Sequence, residues 1–162
     1  VSLSHFFSWP LDRCVDSLLD PSAALVPGER FGGHQVRQHM GRWDQHVRSW
    51  ADQTQLPVLI MRYEDMLAKG SETFTKLATF LGLPNDAHLI DQALENTSID
   101  RLKKLEEDVD GFAEKPAGCE RFFRSGRTGE GAEQLSIEQR KRLANGLSEA
   151  MNRFEYEGPE LD

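Results

Sequence analysis

The chain has 162 residues, 38% apolar and 28% charged, which is enough for one ordinary domain with a buried core. Its 27 acidic against 19 basic side chains leave a net charge of -8, which argues against sequence-independent nucleic-acid binding. No apolar run reaches membrane-spanning length, no signal peptide is evident, and the two cysteines lack metal-type spacing. A cytoplasmic protein with reduced thiols, no membrane contact and no metal is expected.

In chain order, residues 3–7 read as the end of a helix that enters the chain already apolar, as though cut from a larger element. Residues 10–19 read as a second helix, with Pro10 in its first turn and Asp20-Pro21 as its stop. Residues 21–33 carry Pro, Ser and three glycines and read as a mobile loop. From 34 to 52, Val36, Met40, Trp43, Val47 and Trp50 recur at helical steps, so an amphipathic helix with two tryptophan packing anchors is predicted. Residues 56–63 are continuously apolar and predict the one clear core strand, buried on both faces. Ser71 is expected to cap a helix closed by Gly82 and Pro84. Two shorter helices are predicted over 87–96 and 99–107. Residues 108–132 lack periodicity, and a loop of that length is usually either functional or disordered. Ser136 and Gln139 form a capping box for a last helix running to about Phe154, and the acidic end from 158 to 162 is set apart as a tail.

Within the long loop, Arg121-Phe122-Phe123-Arg124-Ser125-Gly126-Arg127-Thr128-Gly129 packs three guanidinium groups, two hydroxyls and two glycines into nine residues without a carboxylate. Guanidinium forks match phosphate oxygens in bidentate fashion, and glycine lets backbone N–H groups turn inward around an anion. A solvated turn paired with nearby acids is the plainer reading of such a loop. The lone strand adds a second clue. An unpaired buried strand leaves ladder groups unsatisfied at ~1–3 kcal/mol each, so the chain is expected to be part of a larger α/β domain or to pair with another chain.

Read together, these segments resemble the C-terminal half of the cytosolic-type sulfotransferases, which use 3'-phosphoadenosine-5'-phosphosulfate (PAPS) as sulfuryl donor and release 3',5'-adenosine bisphosphate (PAP). Val1-Ser2-Leu3-Ser4-His5-Phe6 is similar to the end of the family's Asp-Val-x-Val-Ser-x-x-His-Phe segment, and Gly41 to Trp50 to its Gly-x-Trp-x-x-His-Val-x-x-Trp helix. Leu59 to Met66 resembles the strand ending in Tyr-Glu-Asp-Met. Thr97-Ser98-Ile99 with Leu102-Lys103 resembles Thr-Ser-Phe-x-x-Met-Lys, and Phe123 to Gly129 the phosphate loop Phe-x-Arg-Lys-Gly-x-x-Gly.

The resemblance implies a P-loop NTPase-like α/β fold, of which residues 1–157 would be an incomplete, mostly helical C-terminal portion. It implies that Ser2, Arg124, Ser125 and Gly126 grip the donor's 3'-phosphate, with Ser125 where the family carries lysine. Thr97 and Ile99 would lie at the adenine, Ile99 where the family stacks a Phe, and Tyr63 would reach the purine; Gly131 stands where the family loop carries Trp. No catalytic residue is expected in the 162 residues: the phosphosulfate loop and base histidine of the family have no counterpart here. The chain alone is therefore predicted inactive, while the full enzyme would transfer a sulfuryl group to a hydroxyl or amine of a small-molecule acceptor. Homo-oligomerisation or domain swapping through the unpaired strand is a further expectation. The alternative is a non-catalytic helical remnant or interaction module with an anion-binding arginine loop. Glu64 and Asp65 read as cap or ion-pair residues, His46 as structural, and neither His5 nor His34 as a catalyst.

Overall fold

The computed structural model describes residues 1–25, 37–108 and 119–156. In chain order the elements are α1 (Ser2–Phe7), α2 (Leu11–Leu19), β1 (Ala24–Leu25), β2 (Gln38–His39), α3 (Trp43–Ala51), α4 (Tyr63–Ala68), α5 (Gly70–Phe80), α6 (Ala87–Asn96), α7 (Ile99–Asp108), α8 (Glu130–Gln134) and α9 (Ile137–Arg153). The described residues gather in two compact units. The first holds those up to 56 with 119–120 and 129–156; the second holds 57–108 with 121–128. None of the described helices is long and apolar enough to cross a membrane.

The first unit is organised on α9. The predicted capping box forms: the Ser136 hydroxyl accepts from the Gln139 N–H at 3.2 Å, and the Gln139 side chain accepts from the Ser136 N–H at 3.0 Å. Leu147, Ala150 and Phe154 then recur at steps of three and four and are buried, in a unit whose core also holds Cys14 and Val15 of α2. The two helices meet closely because position 146 has no side chain. A Cβ on Gly146 would fall 2.5 Å from Leu19 Cδ2. Gly146→Ala is therefore expected to destabilise the first unit by ~1 kcal/mol, an overpacking cost against the Leu19 methyl that exceeds the roughly 1 kcal/mol by which alanine is the better helix former. Urea unfolding measures the sign, and a stabilised variant would overturn this account of the contact.

Ion pairs rim the same helix. Arg142 pairs with Asp16, Arg48 with Glu149 at 2.6 Å, and Arg153 with Asp52 at 2.5 Å. Arg42 binds Asp44 at 2.9 Å and also donates to the Gly146 carbonyl, joining the start of α3 to α9. The Arg153 hydrogen bond holds the Asp52 carboxyl below its ordinary value. Burial pushes Asp44 upward, but the Arg42 hydrogen bond and charge outweigh it and leave the carboxyl lowered as well. Both groups thus contribute stability above the ordinary carboxylate range near ~4, and that contribution fades as pH falls through the lowered folded values. The first unit should lose stability on acidification below about pH 4, and Asp44→Asn should flatten that limb. An acid-unfolding profile identical in the asparagine variant would refute the assignment.

The helix predicted from 34 begins only at Trp43. Gly41 sits in the left-handed region at φ 65°, Arg42 caps the first turn of α3, and residues 38–39 pair with β1 (Ala24 opposite His39, Leu25 opposite Gln38). Residues 34–36 lie outside the described residues, as do most of the 21–33 loop and the acidic tail. Trp43 does pack, edge to face on Tyr156 with centroids 5.6 Å apart, whereas Trp50 is exposed.

In the second unit, α5 packs on both α4 and α6. The buried Thr73 donates its hydroxyl to the Asp65 carbonyl of α4. Ser71 does not cap α5, which starts from Lys69; its hydroxyl instead reaches Asp91 of α6 at 2.5 Å. The α5 end follows the glycine rule: Gly82 at φ 67° lets its own N–H bond Thr79 and the Leu83 N–H reach back to Ala78. Asp86 caps α6 by accepting from the His88 and Leu89 N–H groups.

The predicted core strand is corrected. Residues 57–62 carry no strand, and the one sheet among the described residues is β1–β2. Leu56, Val58 and Ile60 are exposed, and Tyr63 opens α4 rather than ending a strand. The physical reason is the missing ladder: an apolar segment becomes a strand only when a neighbour satisfies its backbone groups. Glu64 and Asp65 accordingly occupy the first turn of a helix, where carboxylates favour the helix dipole, instead of opposite faces of a strand.

Candidate functional site

Six of the seven nominated residues, Tyr63, Thr97, Ile99, Arg124, Ser125 and Gly126, lie in the second unit. Ser2, exposed in the first turn of α1, lies in the first. Thr97 closes α6 and Ile99 opens α7, so one sharp inter-helix turn presents both. The Thr97 hydroxyl donates to the Ala93 carbonyl at 2.8 Å. Its proton is thereby committed, and what the oxygen offers a ligand is lone pairs.

The loop 121–128 meets this turn at one point. Gly126 has φ 63°, and a Cβ there would fall 2.7 Å from Ile99 Cγ1, 2.9 Å from its Cβ and 3.1 Å from its Cδ1. Two residues nominated separately, 27 positions apart in sequence, are thus in direct contact, and only glycine fits both the backbone and the gap. The neighbouring Arg124 and Ser125 are half-buried, and Tyr63 is exposed at the start of α4 in the same unit.

The loop is fastened from α7 by a residue that sequence reasoning missed. The Glu106 carboxylate accepts from the Phe122 N–H at 2.7 Å and from the Phe123 N–H at 3.1 Å, one oxygen to each. Beside it, Arg121 pairs with Glu107 at 2.9 Å, and the Phe122 and Phe123 rings pack edge to face with centroids 5.1 Å apart. The amides of 122 and 123 are therefore committed inward, leaving the turn from Arg124 to Gly126 as the part that can face an anion. Two carboxylate hydrogen bonds to a loop are charge-assisted, and Glu106→Ala should loosen it at a cost of about 2 kcal/mol. Hydrogen exchange at the Phe122 and Phe123 amides would report that loosening, and unchanged protection would count against the clamp. No sequence pattern announces such a bond, because its partners are backbone groups.

Among the described residues no cluster of His, Cys, Asp and Glu could hold a metal ion. His5, set aside as a catalyst, has its Nε2 3.2 Å from the sulfur of the buried Cys119.

A family model described as "Sulfotransferase domain" matches residues 29–155, and the chain belongs to that family. Sulfotransferase 1E1 of Bos taurus is 31% identical over 104 residues, covering 64% of this chain and 34% of that protein. Cytosolic sulfotransferase 1 of Arabidopsis thaliana is 30% identical over 108 residues, covering 62% of this chain and 33% of that protein. The chain thus spans about a third of the length of these curated relatives. A crystal structure of mouse sulfotransferase SULT7A1 complexed with PAP shares the fold, with a TM-score of 0.57 and 22% identity over 76% of this chain and 44% of that one.

Proposed function

We propose that the second unit carries the adenosine and 3'-phosphate side of a PAPS/PAP site, and that a full enzyme containing this chain transfers a sulfuryl group from PAPS to a hydroxyl or amine of a small-molecule acceptor. The observation that carries this reading is the contact of Gly126 with Ile99, which sets the phosphate-loop candidate against the base candidate. Family membership, and a neighbour of the same fold solved with PAP, support it. The residues fit such a nucleotide chemically. Arg124 supplies a planar fork for a phosphate, with Ser125 adding a hydroxyl donor where the family has a charge. Ile99 gives a base an apolar face, and the lone pairs of Thr97 suit a donor such as an exocyclic amine. Tyr63 adds a phenolic group for the purine. When bound, PAPS supplies the activated sulfuryl group, and no residue of this chain is assigned to its transfer.

Calorimetric titration with 3',5'-adenosine bisphosphate and, in parallel, with adenosine 5'-monophosphate tests the proposal. The bisphosphate should bind at least about tenfold tighter, because only it offers the second phosphate to the loop. Equal affinity, or none for either, would favour an interaction module over a nucleotide site. A labelled-donor assay on the 162-residue chain is expected to show no turnover.

A further inference from the structure

Arg13, Asp16 and Ser17 of α2 and Asp20 at its C-cap stand at i, i+3, i+4 and i+7, so they share one face of the helix. With Trp9 and Arg37 they line a surface pocket of about 340 Å³ in the first unit. The Arg13 guanidinium lies over the Trp9 ring, 4.0 Å from its centroid. We propose that this pocket binds a small organic molecule carrying a single carboxylate, held by Arg13 and Arg37.

The acidic side chains of the wall are already engaged, and its arginines are not. Asp16 pairs with Arg142. The Asp20 Oδ1 accepts both the N–H of Ser22, at 2.8 Å, and its hydroxyl, at 2.7 Å. Neither Arg13 nor Arg37 pairs with a carboxylate among the described residues. Arg13 and Arg37, with Arg142 beside Asp16, stand against the two carboxylates and leave one positive charge in surplus, in a chain whose net charge is -8. That surplus suits a monoanion. A second negative charge on the ligand would face Asp16 and Asp20 with no further cation to meet it. The stacking on Trp9 covers one face of the Arg13 guanidinium and leaves its N–H edge open, in the plane that matches the two coplanar oxygens of a carboxylate. Trp9, Ala23 and Ala24 give a short hydrocarbon body an apolar surface, and the Ser17 hydroxyl adds one more polar group. The wall comes from the first unit alone, so this site and the nucleotide site can fail separately.

Nitrogen-15 NMR titration of the full 162-residue chain with sodium benzoate, at constant ionic strength, tests the site. The Trp9 indole N–H and the Arg13 Nε–H signals should shift saturably, while benzyl alcohol, which has the same ring without the charge, should leave them in place. Arg13→Gln and Arg37→Gln should each weaken benzoate by at least about threefold, and the double variant by at least about tenfold, the modest single losses reflecting exposed charges. Both side chains are exposed, and an unchanged circular dichroism spectrum checks that the variants fold. Arg101→Gln, in the second unit, should bind benzoate as the wild type does. Inorganic phosphate should act on the same signals more weakly than benzoate. No saturable shift with benzoate, equal shifts with benzyl alcohol, tighter binding of phosphate, an equal loss in Arg101→Gln, or full affinity in the folded double variant would each overturn the proposal.

Discussion

Gly126→Ala is expected to destabilise the second unit and to weaken nucleotide binding together. Alanine at φ 63° carries a left-handed backbone cost of ~1–2 kcal/mol. Its methyl group would also overlap Ile99 at 2.7 Å, adding ~1–3 kcal/mol of overpacking. The two costs are separable. Ile99→Ala removes Cγ1 and Cδ1 from the collision, so the double variant should be less destabilised than the sum of the single ones by about 1 kcal/mol or more. The backbone share and the 2.9 Å approach to the Cβ of residue 99 stay, so the rescue is partial. Urea unfolding of the four proteins supplies the cycle, and strictly additive losses would show that 99 and 126 do not meet as described.

Arg124→Ala should reduce the affinity for 3',5'-adenosine bisphosphate by roughly 10- to 100-fold, the equivalent of about 1.5–3 kcal/mol for a charge-assisted contact. Affinity for adenosine 5'-monophosphate should hardly change. Arg124→Lys keeps the charge but not the planar fork and should fall between the two. The wild-type preference should also shrink as salt rises, because a loop near the surface is screened. An alanine variant that retains the bisphosphate preference would remove Arg124 from the site, whatever its effect on stability.

Signals in the chain are legible where the physics is local. The capping box at Ser136 and Gln139 marks the start of α9, the stretch from Ala87 to Asn96 forms α6 with the expected bounds, and Gly82 ends α5. The composition of residues 121–129 identified the loop that meets Ile99. Sequence pattern misleads where a distant partner or a single backbone angle decides. Val36 and Met40 continue the helical spacing of α3 backwards, but the left-handed Gly41 and the pairing of 38–39 with β1 override it. Residues 57–62 have the composition of a buried strand without its ladder, and Ser71 has the composition of a cap while its hydroxyl serves Asp91. Glu106 could not be found by pattern because it serves amides. His5 and Cys119 are separated by 114 positions, with no motif linking them.

Both cysteines of the chain, Cys14 and Cys119, are buried free thiols, and both belong to the first unit. Burial pushes the Cys14 thiol up, which further slows any reagent that needs thiolate. Alkylation of Cys14 by a maleimide is therefore a ready-made clock for the opening of the first unit: label is taken up when α2 and α9 part.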